Sequence, residues 1–240
     1  RIEYASEDFA SVTFYLKKDN KKEIEILIEK ENLQYEETKS RIFLLTEGDF
    51  QSMSFEPFNI EPIALDLAAN YNKDFIPFHD NLLKLVNQKE SGLALMHGEP
   101  GTGKTSYLQH LACQTDRDFL FVSPGMADWI ASSGFNSLMK RHVGAVLIIE
   151  DAEQTLSNLG SRRSNATSNL LNITDGILAS CFNVLVICTF NSQLKDIDEA
   201  LLRPGRLKAK YEFKKLNKVK ARIISGNSTL EDSTLAELYH

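Results

Sequence analysis

Eight consecutive residues, Gly98-Glu99-Pro100-Gly101-Thr102-Gly103-Lys104-Thr105, follow the pattern G-x-x-x-x-G-K-[ST]. No other stretch limits the possible folds as tightly, because such a loop needs a strand to deliver it and a helix to leave it. Both are legible. Leu93-Ala94-Leu95-Met96-His97 reads as a buried strand, and Ser106 to Gln114 as a helix with Leu108, Leu111 and Ala112 at helical spacing. The glycines let the backbone turn its N–H groups inward around phosphate oxygens. Lys104 adds a positive charge for β- and γ-phosphates, the Thr105 hydroxyl can hold Mg²⁺, and the helix opening at Ser106 aims its positive dipole end at the same place.

The 240 residues suffice for one large domain, or a large and a small one. With 42% hydrophobic and 25% charged residues the balance is that of a soluble protein, and a formal net charge of −6 gives no reason to expect a nucleic-acid partner. Cys113, Cys181 and Cys188 lack zinc-ligand spacing and read as reduced, buried thiols of an intracellular, cytoplasmic protein. No run approaches a membrane span of roughly 18 apolar residues. The first residue is Arg1, which leaves a removed segment upstream open.

Residues 1–58 differ in pattern from the rest. Val12–Leu16, Ile24–Glu29, Arg41–Leu45 and Gln51–Phe55 read as strands of a small, mostly antiparallel β domain, a docking or substrate module or else a structural extension. From residue 59 to 213 strands alternate with helices. After the loop come strands at Phe119–Val122, Gly144–Ile149, Asn183–Cys188 and Lys208–Phe213, with a helix from Asn165 to Ala179. Such alternation predicts an α/β fold with a parallel sheet covered on both faces. Residues 214–240 hold two short helical stretches, Leu216–Ser225 and Thr234–Leu238.

Three further signals surround the loop. Ala145-Val146-Leu147-Ile148-Ile149-Glu150-Asp151 is an apolar strand ending in two carboxylates, one suited to hold Mg²⁺ and the other to polarise an attacking water. Asn191 follows the next strand, where an amide can orient water against a γ-phosphate. Arg203-Pro204-Gly205-Arg206 places two guanidiniums rigidly, as charge stabilisation on a transferring phosphoryl group requires.

The order of Gly98–Thr105, Val146–Asp151, Asn169–Gly176, Asn191 and Arg203–Arg206 resembles an AAA ATPase module over residues 75–213. The stretch from Asn169 to Arg206 is similar to the second region of homology that separates AAA proteins from other P-loop NTPases. The resemblance implies a five-stranded sheet of order 5-1-4-3-2, a helical lid after the sheet, ATP and Mg²⁺ as ligands, and a ring assembly, commonly hexameric. It also implies phosphate contacts from Gly98, Glu99, Pro100, Gly101, Thr102, Gly103, Lys104, Thr105 and Ser106. Thr105 and Glu150 would serve the metal and Asp151 the water. Asn191 would be the polar sensor of its own subunit, and Arg203 and Arg206 would reach the neighbour's nucleotide.

Three departures stand out. The acids run Glu-Asp where the family usually has Asp-Glu, as in the branch resembling the mitochondrial Rieske-protein translocase. The aromatic pore loop of peptide-threading relatives has no aromatic at the aligned Ser132-Ser133-Gly134, and Trp129 reads as core. The lid is reduced or truncated, with Arg222 the nearest substitute for a second sensor arginine. The expected function is ATP-driven remodelling or translocation of a protein or assembly; the alternative is a catalytically weak, nucleotide-gated scaffold.

Overall fold

The computed structural model describes residues 42–48, 53–58, 60, 63, 65–156, 165–191 and 197–239. The strands expected at Val12–Leu16 and Ile24–Glu29 lie outside them. The chain divides into two units after Lys39, and all described residues belong to the second.

Seven strands form one sheet: β1 (Ile42–Glu47), β2 (Met53–Pro57), β3 (Gly92–Gly98), β4 (Phe119–Val122), β5 (Val146–Ile149), β6 (Leu185–Phe190) and β7 (Leu207–Phe213), in the order β2-β1-β4-β5-β6-β3-β7. All neighbours pair in parallel except β1 with β2. The five strands β7-β3-β6-β5-β4 carry the order expected from sequence. The sheet is larger than expected, because β1 and β2 extend it past β4. Their alternation identified them as strands but not the sheet they would join. The reason lies in β4, whose four residues are all buried; left as an edge it would present open backbone and apolar side chains to water. β1 covers it through Ile42↔Phe119, Phe43↔Leu120 and Leu44↔Phe121. A boundary at residue 58 therefore does not separate these two strands from the core.

The central strands are buried on both faces, so they read as continuous apolar runs. Alternate residues go to opposite layers. Leu93, Leu95, Leu147, Ile149, Val186 and Cys188 join one cluster, and Ala94, Met96, Val146, Ile148, Leu185 and Ile187 the other. The first layer is covered by a 3₁₀ segment (Pro124–Ala131), α4 (Ser133–Met139), α6 (Asn165–Thr174) and α7 (Ile177–Phe182), through Ile130, Phe135, Leu170 and Phe182. The second is covered by α2 (Phe75–Asn87) and α3 (Lys104–Cys113), through Phe75, Leu82, Tyr107 and Leu111. Short helices complete the set: α1 (Leu67–Asn70), α5 (Glu153–Leu156), α8 (Lys218–Ser225) and α9 (Leu235–Tyr239). Edge strand β7 alternates, with Ala209, Tyr211 and Phe213 buried and Lys208, Lys210 and Glu212 exposed. Charged residues there discourage pairing with another edge.

Two expectations need correction. The helix read from Asn165 to Ala179 is two helices, because Gly176 takes φ +108° between them; only glycine adopts such a conformation without cost. Of the three thiols only Cys188 is buried. Cys113 and Cys181 are exposed, near the ends of α3 and α7. Their helical spacing fixed the element but not the face turned to the sheet.

Candidate nucleotide site

β3 ends at Gly98, and the chain must turn at once while passing close to β7. A Cβ at Gly98 would lie 2.0 Å from the Phe213 carbonyl oxygen, so no larger residue fits. Gly103, the residue before α3, takes φ +89° and lies against Leu235 and the Tyr71 hydroxyl. That hydroxyl donates to the Gly103 carbonyl at 2.8 Å, tying the loop's end to the aromatic cluster of Tyr71, Phe75, Tyr107 and Phe213 below it. Thr102 Oγ1 closes the loop onto the Glu99 carbonyl at 2.8 Å.

Lys104 opens α3 and is only 7% exposed. Its Nζ donates to the carbonyls of Gly98 at 2.8 Å and Glu99 at 3.0 Å. Burial lowers the affinity of this amine for its proton, opposed by the negative charges of Asp151, Glu153 and Glu150. Thr105 Oγ1 donates to Glu150 Oε1 at 2.7 Å. A hydroxyl and one carboxylate oxygen side by side are hard donors that suit Mg²⁺, which takes the rest of its shell from phosphate and water. Among the described residues no group of three or more His, Cys, Asp or Glu forms a cage for a metal.

At the neighbouring strand ends, Asn191 Nδ2 donates to Asp151 Oδ1 at 2.7 Å, and the Asn191 backbone N–H donates to Glu153. Glu150 and Asp151 therefore have separate partners, one facing Thr105 and the other facing Asn191.

A cavity of about 590 Å³ opens on this edge of the sheet, a size usual for small-molecule sites. Pro100, Gly101, Gly103, Lys104, Thr105 and Ser106 form its floor, and Asp151, Thr189 and Asn191 one wall. The opposite wall comes from Leu65, Asn70, Leu235, Ala236 and Tyr239. Helix α9 is fastened over the loop by the Ala236 N–H to the Gly101 carbonyl at 3.0 Å, and by Tyr239 Oη donating to Asn70 Oδ1 at 2.6 Å.

Sequence reasoning missed this second wall. Phe75 and His79, nearer the loop in sequence, do not supply it. Phe75 is fully buried, and the buried His79 pairs with the Tyr107 hydroxyl at 3.1 Å. The wall lies upstream, in the segment holding Leu65 and Asn70, and in the last five residues described. No local pattern marks either, since both become a wall only by folding over the loop. Glu153 and Thr189 were also missed, although each lies two residues from an acid or amide already singled out.

Arg203 and Arg206 do not line the cavity of their own chain. Arg203 is exposed. Arg206 is held by Asp175 at 3.0 Å and by the Ala200 carbonyl. Arg222 faces away, donating to the Leu230 carbonyl at 2.8 Å and pairing with Glu231 at 3.5 Å. At the aligned pore position, Ser133 and Gly134 open α4. Trp129 is half-buried and packs edge-on against the fully buried Phe135 at 5.6 Å, at the margin of the core.

A glycine loop between a buried strand and a helix, ending in Lys-Thr on a parallel sheet of order β7-β3-β6-β5-β4, defines a P-loop nucleotide-binding protein. The profile of the "ATPase family associated with various cellular activities (AAA)" matches residues 94–215, just over half of the chain. The chain belongs to the AAA ATPase family.

Similar proteins include two from Schizosaccharomyces pombe. The "ATPase family gene 2 protein" is 29% identical over 150 residues, covering 58% of this chain and 18% of the relative. The "Probable mitochondrial chaperone bcs1" is 29% identical over 128 residues, covering 48% and 27%. The "26S proteasome regulatory subunit 6B homolog" of Dictyostelium discoideum is 29% identical over 180 residues, covering 67% and 44%. The chain thus spans less than half the length of each of these relatives. No helix among the described residues is long and apolar enough to cross a membrane.

Proposed function

We propose that this chain binds ATP with Mg²⁺, hydrolyses it, and couples the reaction to remodelling or translocation of a protein substrate or assembly, as one subunit of a ring. The observation that carries the reading is the cavity at the carboxyl edge of the sheet, where the glycine loop, Lys104, Thr105, Asp151 and Asn191 converge. Membership of an ATPase family and relatives named as a chaperone and as proteasome regulatory subunits support it.

Each residue has a task its geometry allows. The loop amides and Lys104 would grip the β- and γ-phosphates, which replace the Gly98 and Glu99 carbonyls as partners of Nζ. Thr105 and Glu150 would hold the metal. A bound Mg²⁺ would supply Lewis-acid withdrawal of charge from the phosphate oxygens. Asp151 would take the proton of the attacking water, and Asn191 would orient that water and the carboxylate together. Arg203 and Arg206, outside their own cavity, would act on the nucleotide of an adjacent subunit in a ring, hexameric as is common in the family. Residues before the core would serve as the docking module.

Asp151→Asn tests the reading. ATP binding by calorimetry should persist while turnover falls at least ~100-fold. Unchanged turnover would remove Asp151 as the base. A turnover per subunit that stays constant on dilution far below the assembly constant would remove the arginines in trans.

A second reading, a nucleotide-gated scaffold, draws on one observation. Asp151 is a methylene shorter than the family's usual base, and its Oδ1 already accepts from Asn191. In that case wild type and Asp151→Asn bind ATP alike and neither turns it over.

A further inference from the structure

The corner between β5 and α5 is joined to the end of β6 by hydrogen bonds that reach beyond the residues assigned above. Asp151 takes φ +49°, a left-handed conformation that Asp and Asn tolerate better than most residues. The turn points two successive N–H groups at one residue. Asp151 N donates to Thr189 Oγ1 at 3.1 Å, and Ala152 N to the Thr189 carbonyl at 2.9 Å. Two residues along each segment the direction reverses. The Asn191 backbone N–H, which leaves the sheet as β6 ends, donates to a Glu153 carboxylate oxygen, and Asn191 Nδ2 donates to Asp151 at 2.7 Å. Asn191 is thus held by main chain and side chain to two carboxylates of one corner, and that corner is held in turn by Thr189.

We propose that Glu153 and Thr189 are positioning residues which lock Asp151 and Asn191 into one rigid unit facing the γ-phosphate position, an inference that rests on the hydrolytic reading above. Neither needs to touch nucleotide through its bonding groups. Glu153 acts on the Asn191 backbone, and the Thr189 hydroxyl acts on the Asp151 backbone. Without Glu153 the Asn191 N–H loses its acceptor, and the amide that aligns Asp151 gains freedom. Without the hydroxyl, the left-handed turn at Asp151 loses one of its two anchors. An error of about 1 Å in a catalytic group is enough to cost rate while leaving binding intact.

The test uses the chain of residues 1–240 and four variants: Glu153→Ala, Glu153→Gln, Thr189→Val and Thr189→Ser. Gln keeps an acceptor oxygen while removing the charge near Lys104, and Ser keeps the hydroxyl that Val lacks. Amide hydrogen exchange at Asn191 and ATP hydrolysis with varied ATP are measured on each. Glu153→Ala should speed exchange at Asn191 and lower kcat about tenfold with KM within about twofold, and Glu153→Gln should recover most of both. Thr189→Val should lower kcat in the same way, with Thr189→Ser recovering it. The proposal is overturned if Glu153→Ala leaves Asn191 exchange unchanged, if Glu153→Gln falls as far as Glu153→Ala, or if KM rather than kcat carries the loss. A wild-type chain that binds ATP without turning it over would overturn the hydrolytic reading instead, with the exchange data still reporting whether Glu153 holds the amide.

Discussion

The two edges of the sheet each carry a buried cation, and they treat it differently. At the carboxyl edge Lys104 donates to the carbonyls of Gly98 and Glu99, with Asp151, Glu153 and Glu150 near enough to support its charge. At the amino edge Arg117, 4% exposed, donates to the carbonyls of Val86, Gly144, Ala145 and Asn183. These carbonyls belong to the ends of α2 and of the loops entering β5 and β6, so one guanidinium fastens three connections at once. Burial alone pushes Arg117 down to about 10, which leaves it charged at neutral pH. Arg117 spends its donors on the fold. Lys104 makes fewer bonds, to carbonyls of a loop, and lines the floor of a cavity. A cation fully satisfied by the main chain is a fastener, whereas one satisfied in part by a loop at a cavity is available for exchange.

Breaking the fastener should have the largest effect. Arg117→Met leaves its four carbonyls without their donor, and each unsatisfied buried group costs about 1–3 kcal/mol less whatever water recovers. Denaturant unfolding should report a loss of about 3–4 kcal/mol. A loss below about 1 kcal/mol would show that the carbonyls find other partners. Lys104→Met should do the reverse. Stability changes by less than about 1 kcal/mol, because a desolvated charge is removed along with its bonds, while ATP turnover per enzyme falls at least ~100-fold. Equal effects on both quantities would end the distinction between the two edges.

Backbone space at the site gives the next effect. Gly98→Ala must push its Cβ away from the Phe213 carbonyl and hold φ near +146°. A destabilisation of about 2 kcal/mol or more is expected in the same unfolding assay. A neutral result would mean that β7 shifts freely there.

Proton linkage sharpens the comparison further. The folded pKa of Lys104 lies below its unfolded value, so between the two the unfolded chain binds the extra proton and this residue's contribution to stability rises with pH. ATP binding needs the charged form, so affinity should fall with pH over the window in which that contribution rises. Calorimetry between neutral and alkaline pH measures it, and Lys104→Arg should remove the fall. If affinity in the wild type stays flat until an ordinary lysine titrates, the amine is not depressed.

The smallest effect is at acid pH. Burial lowers His142, which packs against Phe43 at 5.7 Å and Phe55 at 5.3 Å. Its neutral form favours the fold, and that contribution is lost as pH falls through the ordinary histidine range toward the lowered folded value. Melting temperature against pH should drop less steeply below that range in His142→Phe. Parallel curves would show that other groups govern the acid limb.

The loop and its neighbours were legible because their chemistry is local. Gly98–Thr105 needs particular residues at fixed spacing, and Glu150, Asp151 and Asn191 each follow an apolar run that can only be a buried strand. The order of the five core strands followed from the same signals through the family they resemble. β1 and β2 were legible as strands but not as members of this sheet, since alternation within Ile42–Glu47 does not encode its partner. Arg117 left no mark, because a cation that binds carbonyls needs no partner side chain for a reader to notice.

From residue order alone came the loop proposed to bind phosphate, since a short loop with fixed glycines can bend in few ways. Tertiary structure decided what surrounds it. The pairing of Asn191 with Asp151, the support from Thr189 and Glu153, and the wall built from Asn70 and Tyr239 join residues up to 169 positions apart. Contacts of that range depend on how helices and strands pack around a whole core, and no window of sequence contains both halves of them.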